Sequence, residues 1–306
     1  MRFKTVNERT QTPDVASAPL RIRPIADQSL WSLSEYVCSA GPHDRPFEER
    51  HDRVSLALVA SGTFRYRTVA GEGLLYPGAL LLGNAGACYE CGHEHSHGDR
   101  CLALHIDRDL YAEIASGACA LNGHAFRRAT LPAAPSLAAI AVALQNPNPS
   151  RLELEETVLD FIAAVASVAA ANHAPARRPS AAAMRRIPRV LEYIESHLLS
   201  DLDLAALSHQ ATMSRYHFLR TFKRATGLTP HQYVLGRRLR LAAARIRSTA
   251  EPIAHVAAAA GFGDLSTFNH LFRSAIGVTP TTFRSGRRSR DIILSDRSAV
   301  RSNRQG

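Results

Sequence analysis

Lysine is nearly absent. Lys4 and Lys223 are the only two among 37 basic residues, and the rest are arginine. Long apolar runs are missing as well: the best, Phe161–Ala171, is too short and too alanine-rich to span a bilayer. The opening MRFKTVNERT lacks the apolar stretch a signal peptide needs. A cytoplasmic protein without membrane contact is therefore expected. Cysteine is sparse and odd in number, at positions 38, 88, 91, 101 and 119, with no framework spacing. That excludes a secreted disulfide scaffold. No GxSxG, P-loop or GxGxxG pattern occurs, so the sequence offers no familiar hydrolase or nucleotide-binding signature, and an enzyme is not expected.

What the chain does have is enough apolar sequence for a core and an uneven charge. Its 306 residues are 45% hydrophobic and 21% charged, ordinary for a folded protein of about two domains. The net charge is +10. Residues 177–306 hold 22 Arg and Lys against 8 Asp and Glu, whereas residues 1–176 hold 15 against 19. A basic half joined to a mildly acidic half implies a division of labour and a polyanionic partner. Arginine presents a flat, forked donor suited to phosphates and guanine edges. A GC-rich genome would also favour Arg over Lys, but it does not explain the asymmetry.

The first half reads as β structure followed by helices. A short strand is expected near Leu30–Val37. From Val54 onward, VSLALVASG, TFRYRTVAG, GLLYPGALLLGN and RCLALHID are short apolar or alternating runs punctuated by Gly, Pro and Asn. This spacing predicts an antiparallel sandwich or barrel. Helices are expected over Asp107–Ala118, Ser136–Leu144 and Arg151–Ala171. In the last, Leu154, Val158, Phe161, Ile162, Val165 and Val168 form one apolar stripe, opposite Glu153, Glu156 and Asp160. The stripe must be buried on the chain's own barrel or on a second copy, which would make a homodimer through residues 151–171. Residues 172–184 read as a linker and 291–306 as a basic tail. The expected domains are thus 1–171 and 185–290.

The second half repeats itself every fifty residues. Phe218, Phe222, Lys223, Gly227, Thr229 and Pro230 recur as Phe268, Phe272, Arg273, Gly277, Thr279 and Pro280. Ser214 recurs as Asp264, and both residue types cap helix N-termini. Each copy reads as a short helix, a tight turn, a capped helix and a glycine stop. Gly261 stands where a turn between two close helices wants positive φ. This is the layout of a helix-turn-helix, whose second helix enters the DNA major groove. The phenylalanines face the core. Arg215, Tyr216, Leu219, Arg220 and Lys223 in the first copy, and Ser266, Thr267, Asn269, His270 and Arg273 in the second, remain for DNA. Between the copies, residues 231–248 read as one helix roughly 27 Å long, against about 34 Å between successive major grooves on one face of B-DNA. Its arginines at 237, 238, 240, 245 and 247 are available for phosphates or for ion pairs.

The stretches MSRYHFLRTFKRATGLTPHQYVLGRRL and IAHVAAAAGFGDLSTFNHLFRSAIGVTPTTFR carry a resemblance to the AraC/XylS type of DNA-binding domain. The resemblance is strong over about a third of the chain. It implies an all-helical C-terminal domain with two helix-turn-helix units joined by a long helix, and transcriptional regulation, most often activation. On this resemblance Tyr216, Leu219 and Arg220 would read one groove and Thr267, Asn269 and His270 the other. The sequence departs from the pattern at Leu265, where a polar residue is common, and at His270, where Arg or Lys is common. The first half fits the sensor of such regulators, a cupin-like barrel followed by a helical dimerisation segment. The implied partners are double-stranded DNA and RNA polymerase. The alternatives are a metal-dependent cupin enzyme and an effector-independent DNA-binding regulator.

One cluster stands outside this reading. Residues 88–105, CYECGHEHSHGDRCLALH, place three Cys and four His in eighteen positions. Cys88, Cys91, His93, His95, His97 and Cys101 are candidate ligands for a transition metal. A redox pair of Cys88 with Cys91 or Cys101, polar lining for an organic effector, and plain structural roles compete with that. If 88–97 is extended, Cys91, His93, His95 and His97 share a face. A hairpin turn at Gly98-Asp99 would put Leu102, Leu104 and Ile106 on that face too, with Cys101 and His105 on the other. Cys38 and Cys119 look like unrelated buried thiols.

Overall fold

The computed structural model describes residues 20–93, 98–118, 125–134, 137–145, 149–171 and 181–285. Ten strands come first: β1 (Leu20–Asp27), β2 (Trp31–Cys38), β3 (Phe47–Arg50), β4 (Val54–Gly62), β5 (Phe64–Thr68), β6 (Gly71–Leu75), β7 (Leu80–Gly83), β8 (Cys88–Gly92), β9 (Asp99–Ile106) and β10 (Thr130–Leu131). They form a six-stranded sheet in the order β1-β2-β9-β4-β7-β10 and a four-stranded sheet in the order β3-β8-β5-β6. The strand expected near Leu30–Val37 is β2. Residues 54–59 of β4 and 101–104 of β9 are buried at every position, on both faces, because the large sheet is covered on both sides. Leu56, Leu58, Leu102, Leu104 and Ile106 pack beneath helices. Ala57, Val59, Cys101 and Ala103, the alternate residues, share a core with Phe64, Tyr66 and Cys91 of the small sheet.

Among the described residues no closed barrel of the kind the resemblance implies forms; the strands make two open sheets, the sandwich that the strand spacing also allowed. The chain changes sheet repeatedly; β4 and β5 fall in different sheets, as do β8 and β9, so neither pair is hydrogen-bonded. The parting of β8 from β9 also removes the expected hairpin at Gly98-Asp99. Strand β8 pairs with β3 and β5, while β9 pairs with β2 and β4. Cys101 and His105 therefore look into the space between the sheets, on the side of Cys91, and Leu102, Leu104 and Ile106 look away from it.

Three helices cover the outer face of the large sheet: α1 (Arg108–Ala118), α2 (Ala138–Leu144) and α3 (Arg151–Ala171). The stripe of α3 packs on its own sheet, with Val158, Phe161, Ile162 and Val165 almost wholly buried. Of the two burial partners the stripe could take, this is the chain's own β half. Leu152 and Leu159 are the large apolar residues that α3 leaves exposed.

Seven helices follow: α4 (Ala181–Ser196), α5 (Leu204–Gln210), α6 (Arg215–Thr226), α7 (Pro230–Ser248), α8 (Ile253–Ala259), α9 (Leu265–Ile276) and α10 (Pro280–Arg284). Helix α4 begins inside the stretch read as a linker, and the basic tail 291–306 lies outside the described residues. Thr229 starts α7 through a full capping box with Gln232 and a proline at the first turn. Thr279-Pro280 starts α10 in the same way, without the box. Among the described residues no helix is long and apolar enough to cross a membrane.

The five arginines of α7 all have internal partners. Arg237 forms a two-pronged pair with Glu195 of α4, which also accepts from the Tyr233 hydroxyl at 2.6 Å. Arg238 donates to the carbonyls of Leu198, Ser200 and Gly261 at 2.8–3.0 Å. Arg240 donates to the Pro77 carbonyl at 3.0 Å. Arg245 pairs with Glu251 and Arg247 with Glu153, each at 2.9 Å. Of the two roles open to these residues, internal pairing is the one the fold uses.

Phe268 is fully buried among Phe262, Phe272 and the apolar side of α7. Phe268→Ala is expected to destabilise the protein by about 3–5 kcal/mol, the usual cost of emptying such a site. Leu265→Ala, at an exposed position three residues earlier, should change stability by less than about 0.5 kcal/mol. Urea denaturation of both variants measures the difference.

Candidate nucleic-acid interface and inter-sheet cavity

Each half of the repeat builds the same local object. In the first, the Asp203 carboxylate caps α5 through the Ala206 N–H at 2.7 Å, and Ser214 caps α6 through the His217 N–H at 3.4 Å. In the second, Asp264 caps α9 through the Thr267 N–H at 2.8 Å, and these bonds hold its carboxyl below the usual range. Both α6 and α9 end on a left-handed glycine, Gly227 and Gly277. The turns differ by one residue. The left-handed residue is Gly261 in the second unit, three before its cap, as the sequence position predicts. In the first unit it is Thr212, at φ 52°, two before its cap. A β-branched residue there carries steric strain that glycine avoids.

The faces of α6 and α9 are split. Phe218 and Phe222, and Phe268 and Phe272, are wholly buried. Arg215, Tyr216, Arg220 and Lys223 are exposed on α6, and Leu219 is half-buried beside them. Tyr216 is 70% exposed, and the Arg220 guanidinium lies 5.7 Å over its ring. On α9, Ser266, Thr267, Asn269, His270 and Arg273 are all exposed. The ten residues singled out from sequence thus sit on the second helices of the two units. His217 and Arg224 are exposed on α6 too, and helical periodicity alone would have included them.

A second feature lies between the sheets. A cavity of about 440 Å³ is bordered by Tyr36, Glu49, His51, Tyr89, Cys91, Asp99, Cys101 and His105 among others. Tyr36 Oη meets His105 Nε2 at 3.0 Å, and His105 Nδ1 meets Ser55 Oγ at 3.1 Å. His51 Nε2 meets Tyr66 Oη at 2.8 Å, and its ring stacks on Tyr89 at 4.2 Å. Burial lowers both histidines from their usual range, His51 to about 4 with help from His105, and His105 with help from Arg53. Both imidazoles are neutral at pH 7 and can donate and accept.

The cysteine-histidine candidates divide. Cys91 and Cys101 are buried toward the cavity, and burial pushes both thiols up. His93 is buried and bonds Asp99 Oδ1 at 2.7 Å. Cys88, three residues from Cys91 on the same strand, faces outward and is exposed. That orientation keeps Cys88 from pairing with Cys91. His95, His97 and Cys119 lie outside the described residues. Cys38, read from sequence as unrelated, is brought to His93 and Asp99. No local pattern could have found it, because Cys38 and Asp99 meet only as cross-strand partners of β2 and β9.

Comparison with known proteins places the second half. Residues 207–286 match the family model of a helix-turn-helix domain. The probable transcriptional regulator LumQ of Photobacterium leiognathi is 41% identical over 91 residues, 30% of this chain and 37% of LumQ. The multiple antibiotic resistance protein MarA of Escherichia coli K12 is 32% identical over 98 residues, 32% of this chain and 77% of MarA. The chain thus spans little more than a third of the length of LumQ and about three quarters of MarA. Among solved structures, the DNA-binding domain of the global transcriptional factor AdpA in complex with a target DNA is 28% identical. It covers 34% of this chain and 95% of that one, with a TM-score of 0.32.

Two outcomes follow from the geometry. Thr212→Gly should stabilise the fold by about 1 kcal/mol by removing the left-handed strain, read as a raised melting temperature. The buried histidines make stability depend on pH. Unfolding lets them take up protons at their ordinary value, whereas the folded chain resists until about pH 4 for His51. Their contribution is complete above about pH 6.5 and is lost as the pH falls toward 4. The urea midpoint should therefore be lower at about pH 5 than at pH 7.5, and His51→Gln should narrow the gap.

Proposed function

The chain belongs to the AraC/XylS family of helix-turn-helix regulators, and from that premise we propose that it binds specific sites on double-stranded DNA and regulates transcription. The supporting observation is the duplicated capped helix, with its phenylalanines buried and its polar face exposed in both copies. Helix α6 enters one major groove with Tyr216, Leu219 and Arg220 facing base edges. Helix α9 enters the next with Thr267, Asn269 and His270. Helix α7 sets their separation: its 19 residues span about 28 Å at 1.5 Å per residue, close to one turn of B-DNA. Arg215, Lys223, Ser266 and Arg273 flank these positions and contact phosphates.

The domains follow the same division. Residues up to 171 form the sensing half and 185–290 the DNA-binding half. A small effector or a metal occupies the inter-sheet cavity of this cupin-like sensor. The route to DNA is short, because Cys91, Cys101 and Phe64 at the cavity belong to the same buried cluster as Phe218 and Phe222 of α6. A ligand that repacks that cluster alters the seating of α6, so ligand and DNA affinities are coupled. Activation brings RNA polymerase as a further partner. A second copy would dock through α3 using Leu152 and Leu159, the apolar residues its own sheet does not cover.

The test is selection of bound sites from random double-stranded DNA, followed by affinity measurements on Arg220→Ala. The variant should lose about 1–3 kcal/mol on the selected site and relax preference at one base pair. Binding of the unmutated chain should weaken steeply with added salt. An unchanged base preference in the variant would remove α6 from the DNA.

A further inference from the structure

We propose that Cys38, His93 and Asp99 bind one zinc-class divalent ion at the edge of the inter-sheet cavity, with Cys101 as the next ligand in reach. This rests on, and sharpens, the reading of the sheet half as the sensing half.

The three residues come from three elements. Cys38 ends β2, Asp99 begins β9 as its cross-strand partner, and His93 follows β8 of the other sheet. Their ligand atoms, one from each residue, lie within 4.8 Å of one another. His93 Nε2 is 2.7 Å from Asp99 Oδ1, and Cys101 Sγ is 3.1 Å from Asp99 Oδ2. The side chains of His93 and Asp99 are only 2% and 8% exposed. Among the described residues, no arginine or lysine forms an ion pair with Asp99. A buried carboxylate without a permanent cation is costly, and a divalent ion supplies the missing charge.

The donor set selects the ion. Sulfur and imidazole nitrogen beside a single carboxylate favour zinc and its neighbours over magnesium or calcium, which want oxygen alone. The site is also held in place before any ion arrives. A side chain at Gly98 would meet the Cys38 carbonyl oxygen at 2.2 Å, so only glycine lets β2 and the turn into β9 approach this closely. Cys38, Asp99 and Cys101 border the cavity. An ion there faces the space where an effector would sit and can offer it an open coordination position. On binding, the thiol protons pass to solvent and the thiolates take up the ion.

The experiment uses the full-length protein, stripped with a chelator and titrated with zinc against a chromophoric competitor, with no DNA present. One equivalent should bind. Cys38→Ser and His93→Ala should each weaken binding by at least about tenfold, and Cys88→Ser, on the outer face, should leave it unchanged. Cobalt(II) added to the unmutated protein should give a thiolate-to-metal charge-transfer band that fades in Cys38→Ser. This spectrum keeps the test decisive even where a substitution unfolds the chain. Absence of stoichiometric binding, or binding without a thiolate band, overturns the site. DNA affinity is measured separately: a protein that binds zinc but no DNA upholds the site and removes the regulator reading. One that binds DNA but no zinc does the reverse.

Discussion

The structure depends on one shared apolar core that runs from the space between the sheets into the first helix-turn-helix unit. Tyr76, at the end of the small sheet, is its pivot. Its hydroxyl donates to the Thr226 carbonyl in the last turn of α6 and accepts from the Ala133 N–H. Its ring meets Tyr233 edge-on at 5.6 Å, and Tyr233 meets Phe222 at 6.0 Å. A fully buried hydroxyl must find partners or cost free energy, so Tyr76 fixes the small sheet and α6 relative to each other. Arg240, donating to the Pro77 carbonyl beside Tyr76, adds a second tie. Helix α2 makes the equivalent connection to the second unit, placing Ala138 and Val142 in one cluster with Phe268 and Phe272.

That coupling changes how the positive charge is read. The net +14 of residues 177–306 looks like a uniform affinity for phosphate. In the folded chain the arginines of α7 are spent on Glu195, Glu251, Glu153 and on carbonyl oxygens of the turns and of the sheet half. Arginine suits this work because its planar fork satisfies two or three acceptors at once, as Arg238 does. Among the described residues, exposed basic side chains project from α6 and α9 at Arg215, Arg220, Lys223, Arg224 and Arg273, and from α4 at Arg185, Arg186 and Arg189. The arginines of α7 thus leave less unpaired charge on the surface than composition alone implies.

Much of the second half was legible in the chain itself. Caps and stops are local chemistry: Ser214, Asp264, Thr229, Gly227 and Gly277 act on backbone groups within a few residues of themselves. A fifty-residue repeat states the architecture twice. The faces of α6 and α9 follow from the four-residue spacing of their phenylalanines. Strands β4 and β9 were legible for the same reason of periodicity, and α3 appeared with the bounds its stripe predicts.

Only tertiary structure decided what depends on pairing between distant residues. Whether β8 and β9 form a hairpin or part into two sheets is a choice among hydrogen-bond partners, and both options satisfy the local pattern. The placement of β8 and β9 in different sheets turned Cys101 toward the cavity, and the pairing of β2 with β9 brought Cys38 to Asp99 from about sixty residues away. The partner of the α3 stripe, the internal duty of the α7 arginines and the bridge through Tyr76 are likewise contacts at long range. A sequence carries the propensity for each element. Which surfaces those elements bury against one another is settled only when the whole core closes.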